Sequence, residues 1–173
     1  MHLIFSELLF LFCFLECGCS QISYCQCGGA ALLIPKKQEV SILDKPGGRI
    51  IATIMDDPDS DYYNLLQVTR IKRDYALVEV SVADEERVLH TGWIELKNIG
   101  IKPNSYSDDL MLYAKPDVRS KVISVIHNPY WTFYNIVKCD KGWFYVTYEL
   151  HGCLYQGWMP PNRQCANPFS PCN

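Results

Sequence analysis

The sequence lacks any long basic run. No stretch of lysine and arginine exceeds two residues, as in Lys36 and Lys37, and the 173 residues carry a net charge of −3 at pH 7. A nucleic-acid binder shows a basic stripe that meets the phosphates, so the composition argues against that class of protein. After the first 15 residues no segment is long and apolar enough to cross a membrane.

Helical periodicity is missing as well, because no segment repeats apolar residues convincingly every 3.6 positions. The chain is instead rich in residues typical of strands and turns, with eleven tyrosines, ten prolines and ten glycines. Apolar residues make up 49% and charged residues 20%, which favours a folded chain over a disordered one. The composition therefore predicts an all-β protein.

Signatures of metal binding and catalysis are also absent. The cysteine spacings include no C-x-x-C knuckle of the kind that holds zinc. A cysteine peptidase needs a thiol activated by an imidazole, and His151 and Cys153 lie in a predicted hairpin turn with no helix N-terminus to activate the thiol. We predict no metal, no cofactor and no enzymatic activity.

An apolar run occupies residues 3–15 and is interrupted only by Ser6 and Glu7. Its length suits the apolar core of an export signal. The alternative is a buried N-terminal helix of the folded domain, but a run that is apolar all round has no polar face to show to water. We predict a signal peptide over residues 1–18.

Gly18 and Cys19 follow this run and resemble the lipobox of bacterial lipoproteins, in which the cysteine becomes the lipid-bearing first residue. The resemblance implies lipid on Cys19, contact with the membrane only through that anchor, and a tether over residues 19–35. It places the protein in the periplasm or on the outer surface of a bacterial membrane. Ordinary cleavage near residues 28–30, which would release a soluble exported protein, is the alternative.

Nine cysteines in an exported chain favour disulfide bonds. Cys165 and Cys172 bracket a short loop that contains two prolines, while Cys139 and Cys153 flank a predicted strand and its turn. Four cysteines allow three connectivities, and sequence alone does not choose among them. We favour Cys165–Cys172 together with Cys139–Cys153.

The chain after the tether contains an internal duplication. Five landmarks recur in the same order: a short strand ending in Lys-Pro, a Val/Ile strand, a strand that begins Tyr-Asn, a central strand and a closing Gly-Trp. We predict two units, residues 36–102 and 103–173. The landmarks are residues 40–46, 49–54, 63–68, 76–80 and 92–94 in the first unit, and 110–116, 119–126, 134–138, 142–146 and 157–159 in the second.

This pattern of strands resembles the bacterial SH3 (SH3b) domain, present as a tandem pair. The resemblance covers nearly all of residues 36–173 and includes Lys115–Pro116, Gly142–Trp143 and Gly157–Trp158 of the second unit. In the first unit Ala76–Leu77 replaces the central Gly-Trp. The resemblance implies two consecutive small SH3-like β-barrels after the export signal. It also implies a place in the cell envelope, where the family is associated with cell-wall peptide binding.

Aromatic side chains of the second unit are the leading candidates for ligand contacts. Tyr130, Trp131 and Tyr134 follow an Asn-Pro turn, where SH3-like folds line a peptide groove. The alternative for Tyr130 and Trp131 is a plug that closes the end of the barrel. We expect a non-catalytic module that recognises a cell-wall peptide or an envelope protein. The competing hypothesis is a structural or assembly protein whose barrels pack on a partner protein without using a groove.

Overall fold

The computed structural model describes residues 27–34, 38–56, 62–83, 85 and 87–172. The predicted signal peptide, Cys19 and most of the predicted tether lie outside these ranges. The described residues form strands and two short 3₁₀ turns, Leu96–Asn98 and Pro161–Arg163, which confirms the all-β prediction. The strands are β1 (Gly29–Leu33), β2 (Val40–Leu43), β3 (Ile50–Ile54), β4 (Asn64–Lys72), β5 (Tyr75–Val82), β6 (Val88–Glu95), β7 (Ile99–Pro103), β8 (Leu110–Tyr113), β9 (Val122–Ile126), β10 (Tyr134–Asp140), β11 (Trp143–Leu150), β12 (Cys153–Met159) and β13 (Gln164–Cys165).

Twelve of these strands form one open antiparallel sheet in the order β3-β2-β6-β5-β4-β1-β7-β10-β11-β12-β8-β9, and β13 pairs with β7. The order is symmetric about the β1–β7 pair, because strands at equal distances from this pair differ in number by six, as β4 and β10 do. The ladder therefore repeats the duplication seen in the sequence. Both halves belong to one continuous sheet, whereas the sequence predicted two consecutive barrels.

Local irregularities repeat along with the strands. A bulge follows Val68 in β4, and another follows Ile136 in β10. Each lies just after the second residue beyond a fully buried side chain, which is Leu66 in β4 and Tyr134 in β10. Hairpins of the second half turn on residue pairs with positive φ, Lys141–Gly142 and His151–Gly152, which suits the twist of adjacent strands. Repeated bulges bend both halves in the same way.

Strand β1 corrects the predicted domain boundaries. Residues 29–33 fall in the predicted tether, yet they pair with β4 on one side and with β7 on the other, and Leu32 is fully buried. The first half therefore begins before residue 36. Strand β7 also spans the predicted boundary between Lys102 and Pro103. Cleavage near residues 28–30, the alternative to lipidation, would cut at the start of β1.

The core lies on one face of each half and continues through the middle of the sheet. It is built from alternate residues in strands such as β2, β5 and β11, as the two-residue period of a half-buried sheet requires, whereas β7 in the middle of the sheet is buried at all five positions. Ile99 and Ile101 of β7 join the two halves of this core. The largest fully buried side chains are Tyr134, Phe144, Leu32, Ile42, Leu66, Ile94, Ile99, Ile101, Leu110, Leu112, Ile126 and Met159.

Two disulfide bonds are present in the described residues. Cys165 bonds to Cys172, as predicted, with their Cα atoms 5.3 Å apart. The predicted Cys139–Cys153 bond is wrong: Cys139 bonds to Cys27, and Cys153 is free and exposed. Cys139 and Cys153 lie on opposite sides of β11, at opposite ends of that strand, so their Cα atoms are too far apart for a disulfide.

The disulfides indicate an oxidising environment of the kind that exported proteins meet. No helix in the described part of the chain is long and apolar enough to cross a membrane.

Candidate ligand-binding site

The core face of β11 leads from the protein interior to a group of tyrosines. Phe144 and Val146 are fully buried on this face, and Tyr148, the next residue in the alternation, is half-buried. Tyr155 lies directly opposite Tyr148 on β12 and packs against the same core. The two rings form the rim of the core where it reaches solvent.

The buried ring of Tyr134 packs against Tyr148 of this rim. Its ring centroid lies 4.5 Å from that of Tyr148, with the ring planes tilted by 34°. Tyr130 is 55% exposed and close enough to Tyr148 to affect its ionisation. We call Tyr130, Tyr148 and Tyr155 the tyrosine patch. Its aromatic rings offer apolar surface, and its hydroxyl groups offer hydrogen bonds.

The phenol of Tyr148 stays neutral over the physiological range. Burial raises the pKa of Tyr148, and the nearby charge that Tyr130 could carry raises it further. Burial and the neighbouring Tyr148 raise the pKa of Tyr134 well above its usual value. Tyr148 therefore offers an uncharged donor and acceptor, which suits the polar backbone of a peptide better than an ion.

The three predicted contact residues have different environments. Tyr130 is 55% exposed to solvent. Trp131 is half-buried, with the ammonium nitrogen of Lys102 3.7 Å from its ring centroid. Tyr134 is fully buried and offers no ring face to a ligand, which corrects its assignment as a contact. Asn128, in the turn that precedes all three residues, has a positive φ of 46° and is followed by the buried Pro129.

Sequence reasoning missed Tyr148, Tyr155 and Lys102 as neighbours of the predicted site. Tyr148 shares the alternation of Phe144 and Val146, so its position was available once the buried face of β11 was known. Lys102 carried no such signal, because its contact with Trp131 joins residues far apart in the sequence.

The first half does not carry the tyrosine patch. Val80 and His90 form the cross-strand pair that corresponds to Tyr148 and Tyr155. Leu66 takes the place of Tyr134, since it is buried and pairs with β1 as Tyr134 pairs with β7. The duplicated fold thus has tyrosines at these positions in one half only.

The hydroxyl of Tyr134 is buried and has no hydrogen-bond partner. Replacing Tyr134→Phe removes this unpaired group, so the free energy of unfolding should rise by about 1–2 kcal/mol, as measured by urea denaturation. Because the pKa of Tyr134 is raised by folding, the native protein should lose stability as the pH rises above about 10, and the variant should lose less.

The matched control is Tyr106→Phe, since Tyr106 is 60% exposed. This change should alter stability by less than about 0.5 kcal/mol. A loss of stability in the Tyr134→Phe variant would show that the hydroxyl is bonded in solution and would contradict the prediction.

Other polar side chains form no comparable site. His127 Nδ1 lies 2.9 Å from Asp109 Oδ2 in an exposed pair. Across the described ranges, no group of three histidine, cysteine, aspartate or glutamate side chains is placed to hold a metal ion.

No family model and no curated protein matches this chain. Among solved structures, NlpC2 from Trichomonas vaginalis is 13% identical, covers 81% of this chain and 48% of that chain, and has a TM-score of 0.33. NlpC1 from the same organism is 15% identical, covers 82% of this chain and 46% of that chain, and has a TM-score of 0.34. The chain spans about half the length of both proteins, and a likeness at this level assigns neither fold nor activity.

Proposed function

We propose that this protein is a non-catalytic binding module of the bacterial cell envelope, which holds an extended peptide on the tyrosine patch. The observation that carries the proposal is the Tyr148–Tyr155 pair, which lies over the buried Tyr134 in the second half. At these three positions the first half has no tyrosine. A purely structural role for these positions would not require tyrosine, since Leu66 and Val80 fill the equivalent places in the first half.

Two SH3-like units within the sheet are part of this proposal. In the first half, the 3₁₀ turn Leu96–Asn98 leads into the beginning of β7, which pairs with β1. In the second half, the turn Pro161–Arg163 leads into β13, which pairs with the end of β7. Each half thus returns its last strand to its first, as a small barrel does. The two units would then share β7.

The ligand class follows from the chemistry of the patch. Rings with neutral hydroxyl groups recognise an extended peptide through apolar contact and hydrogen bonds to its backbone. We propose peptidoglycan-derived peptides as the ligand, with a segment of an envelope protein as the other source of the same backbone chemistry. The oxidising environment indicated by the disulfides is consistent with the periplasm or the outer surface of the membrane. A lipid anchor on Cys19 completes the proposal.

Single Tyr130→Ala and Tyr148→Ala variants test the patch. Each should weaken binding of purified peptidoglycan peptides at least fivefold, because removing an aromatic anchor costs about 1 kcal/mol or more. Isothermal titration calorimetry of the full chain measures the affinity. Intact mass of protein from a bacterial envelope shows whether Cys19 carries lipid.

Tyr106→Ala is the control, because it removes an exposed tyrosine outside the patch. Binding should be unchanged in this variant. Equal affinity of the wild type and both patch variants, with thermal unfolding unaltered, would remove the tyrosine patch from the proposal.

A structural or assembly protein is the second candidate. The end strands β3 and β9 each have a ladder partner on one side only within the described part of the chain. Ile50 and Ile51 of β3 are 63% and 53% exposed, and Ile123 of β9 is also exposed. Apolar side chains on an open edge fit a protein partner. Absence of peptide binding, together with capture of one defined envelope protein that is lost in the Ile51→Lys variant, would favour this candidate.

A further inference from the structure

The last residues of the chain form a tail loop, defined here as residues 165–172. The Cys165–Cys172 disulfide closes it, and Asn167 Oδ1 accepts hydrogen bonds from the backbone N–H groups of Phe169 and Ser170 at 2.8 and 3.2 Å. The Phe169 ring meets the Tyr63 ring edge-on, with centroids 5.7 Å apart. The tail loop of the second half therefore reaches the first half.

Lys102 joins this loop to Trp131. Its ammonium nitrogen donates a hydrogen bond to the Pro168 carbonyl at 2.9 Å, and it lies 3.7 Å from the Trp131 ring centroid and 5.1 Å from that of Phe133. The Lys102 side chain is only 7% exposed, and burial lowers its pKa. A carbonyl and two rings are weak partners for a buried cation, which gains most from an anion.

An anion can form on the residue that is paired with Lys102 across the sheet. Cys165 is the cross-strand partner of Lys102 in the β13–β7 pair, so the two side chains lie on the same face of the sheet. Cys165 is 1% exposed whereas Cys172 is exposed to solvent, so a reductant reaches the sulfur of Cys172 first. The leaving sulfur is then that of Cys165, next to a cation that stabilises a thiolate.

We propose that the tail loop is a redox-sensitive latch, in which reduction of Cys165–Cys172 moves the Lys102 ammonium from the Pro168 carbonyl to the Cys165 thiolate. The co-reactant is a dithiol. Its thiolate attacks the Cys172 sulfur, the S–S bond breaks, and the electron pair leaves on Cys165. The second thiol of the reductant then displaces Cys172, so that the chain gains two electrons and the reductant becomes a disulfide. Cys172 is left as a thiol and Cys165 as a thiolate.

Opening the latch exposes what the loop covers. Once Pro168 loses its hydrogen bond, the loop no longer shields Lys102, and Phe169 is free to leave Tyr63. The indole N–H of Trp131, which is buried without a hydrogen-bond partner in the closed form, can then reach water. The inference is independent of the tyrosine patch, because it uses none of its residues.

The first test measures access to Lys102 in the full chain carrying Cys153→Ser, which removes the exposed free thiol. An amine-acylating reagent is applied before reduction, and again after mild reduction with dithiothreitol and capping of the two freed thiols with iodoacetamide, so that no thiolate holds the Lys102 ammonium. The acylated peptides are quantified by mass spectrometry. Acylation of Lys102 relative to the exposed Lys115 should rise at least tenfold on reduction of the loop. The buried Cys27–Cys139 bond should stay intact. Unchanged acylation with the loop disulfide fully reduced would overturn the proposal.

The second test measures the thiolate. In the Cys153→Ser/Cys172→Ser chain, the rate of Cys165 alkylation at pH 7 is divided by the rate at pH 10, which corrects for access. This ratio should be about tenfold higher than in the same chain carrying Lys102→Met. Lys102→Gln serves as a second variant if the methionine chain does not fold, as judged by retention of the Cys27–Cys139 bond. Equal ratios in the two chains would show that Lys102 does not stabilise the Cys165 thiolate. The proposed move of the ammonium from Pro168 to Cys165 would then be wrong.

Discussion

Replacing Cys27 and Cys139 together by alanine should lower the free energy of unfolding by about 4–5 kcal/mol. The bond joins residues 112 positions apart, so it removes much of the conformational freedom of the unfolded chain. It also joins Cys27, two residues before the start of β1, to Cys139 near the end of β10 in the other half of the sheet. Urea denaturation without reductant, monitored by circular dichroism, measures the change.

Cys153→Ala is the control for this pair, because Cys153 is exposed and free. Its stability should stay within about 0.5 kcal/mol of the wild type. Alanine at Cys165 and Cys172 should cost less than the loss of the long-range bond, since the loop closes over only seven positions. Equal effects from the two pairs would contradict an origin in chain entropy.

Phe144→Ala should cost about 3–5 kcal/mol of stability, which is the usual range for deleting a buried aromatic ring from a packed core. Phe144 is fully buried in β11, and a methyl group built on Gly29 would lie only 2.6 Å from its ring. The ring therefore fills space that reaches from the second half to the backbone of β1. Thermal and urea unfolding of the full chain measure the loss.

Leu154→Ala removes a comparable apolar side chain that is 62% exposed and serves as the control. It should change stability by less than about 0.5 kcal/mol. A companion variant, Gly29→Ala, should be destabilised while Phe144 is present and should recover part of the loss in the Phe144→Ala background. A Phe144→Ala chain as stable as the wild type would mean that the site collapses onto the space left by the ring.

The strand content and the duplication could be predicted because they depend on local pattern. Alternation along β11 separates Phe144 and Val146 from Trp143 and Tyr145, and the closing Gly-Trp recurs at Trp93 and Trp158. These signals lie within a few residues of each other, and each is read without knowing the rest of the chain.

Two landmarks predict the wrong residue-to-residue alignment. Aligning the central strands 76–80 and 142–146 matches Val80 to Val146, whereas the ladder makes Tyr148 the counterpart of Val80.

The sequence aligns the Tyr-Asn pair at Tyr63 with the one at Tyr134, whereas the ladder makes Leu66 the counterpart of Tyr134. The bulges support this register, because each begins two residues after Leu66 or Tyr134. Short repeated sequence motifs define the register of a strand only to within a few residues, whereas its hydrogen-bonded partners define it uniquely. The Tyr134 assignment rests instead on its place after the Asn-Pro turn, which does not show that the residue begins a buried strand.

The pairing of Cys139 and the position of Lys102 could not be predicted from the sequence. Both depend on contacts between distant parts of the chain: Cys27 with Cys139, and Lys102 with Trp131 and Pro168. The start of β1 could not be recognised either, because it falls in the segment after the apolar run of residues 3–15 that the sequence analysis assigns to a tether. Only the pairing of β1 with β4 and β7 identifies them as part of the sheet.

The shared strand β7 gives the molecule a property that its duplicated sequence does not suggest. Its first residues pair with β1, its middle residues pair with β10, and its last residues pair with β13. No single cut in the chain yields two complete halves, because residues 99–103 are needed by both. The protein is thus a duplication without two autonomous modules, and dissecting it into fragments requires that this strand be included in each.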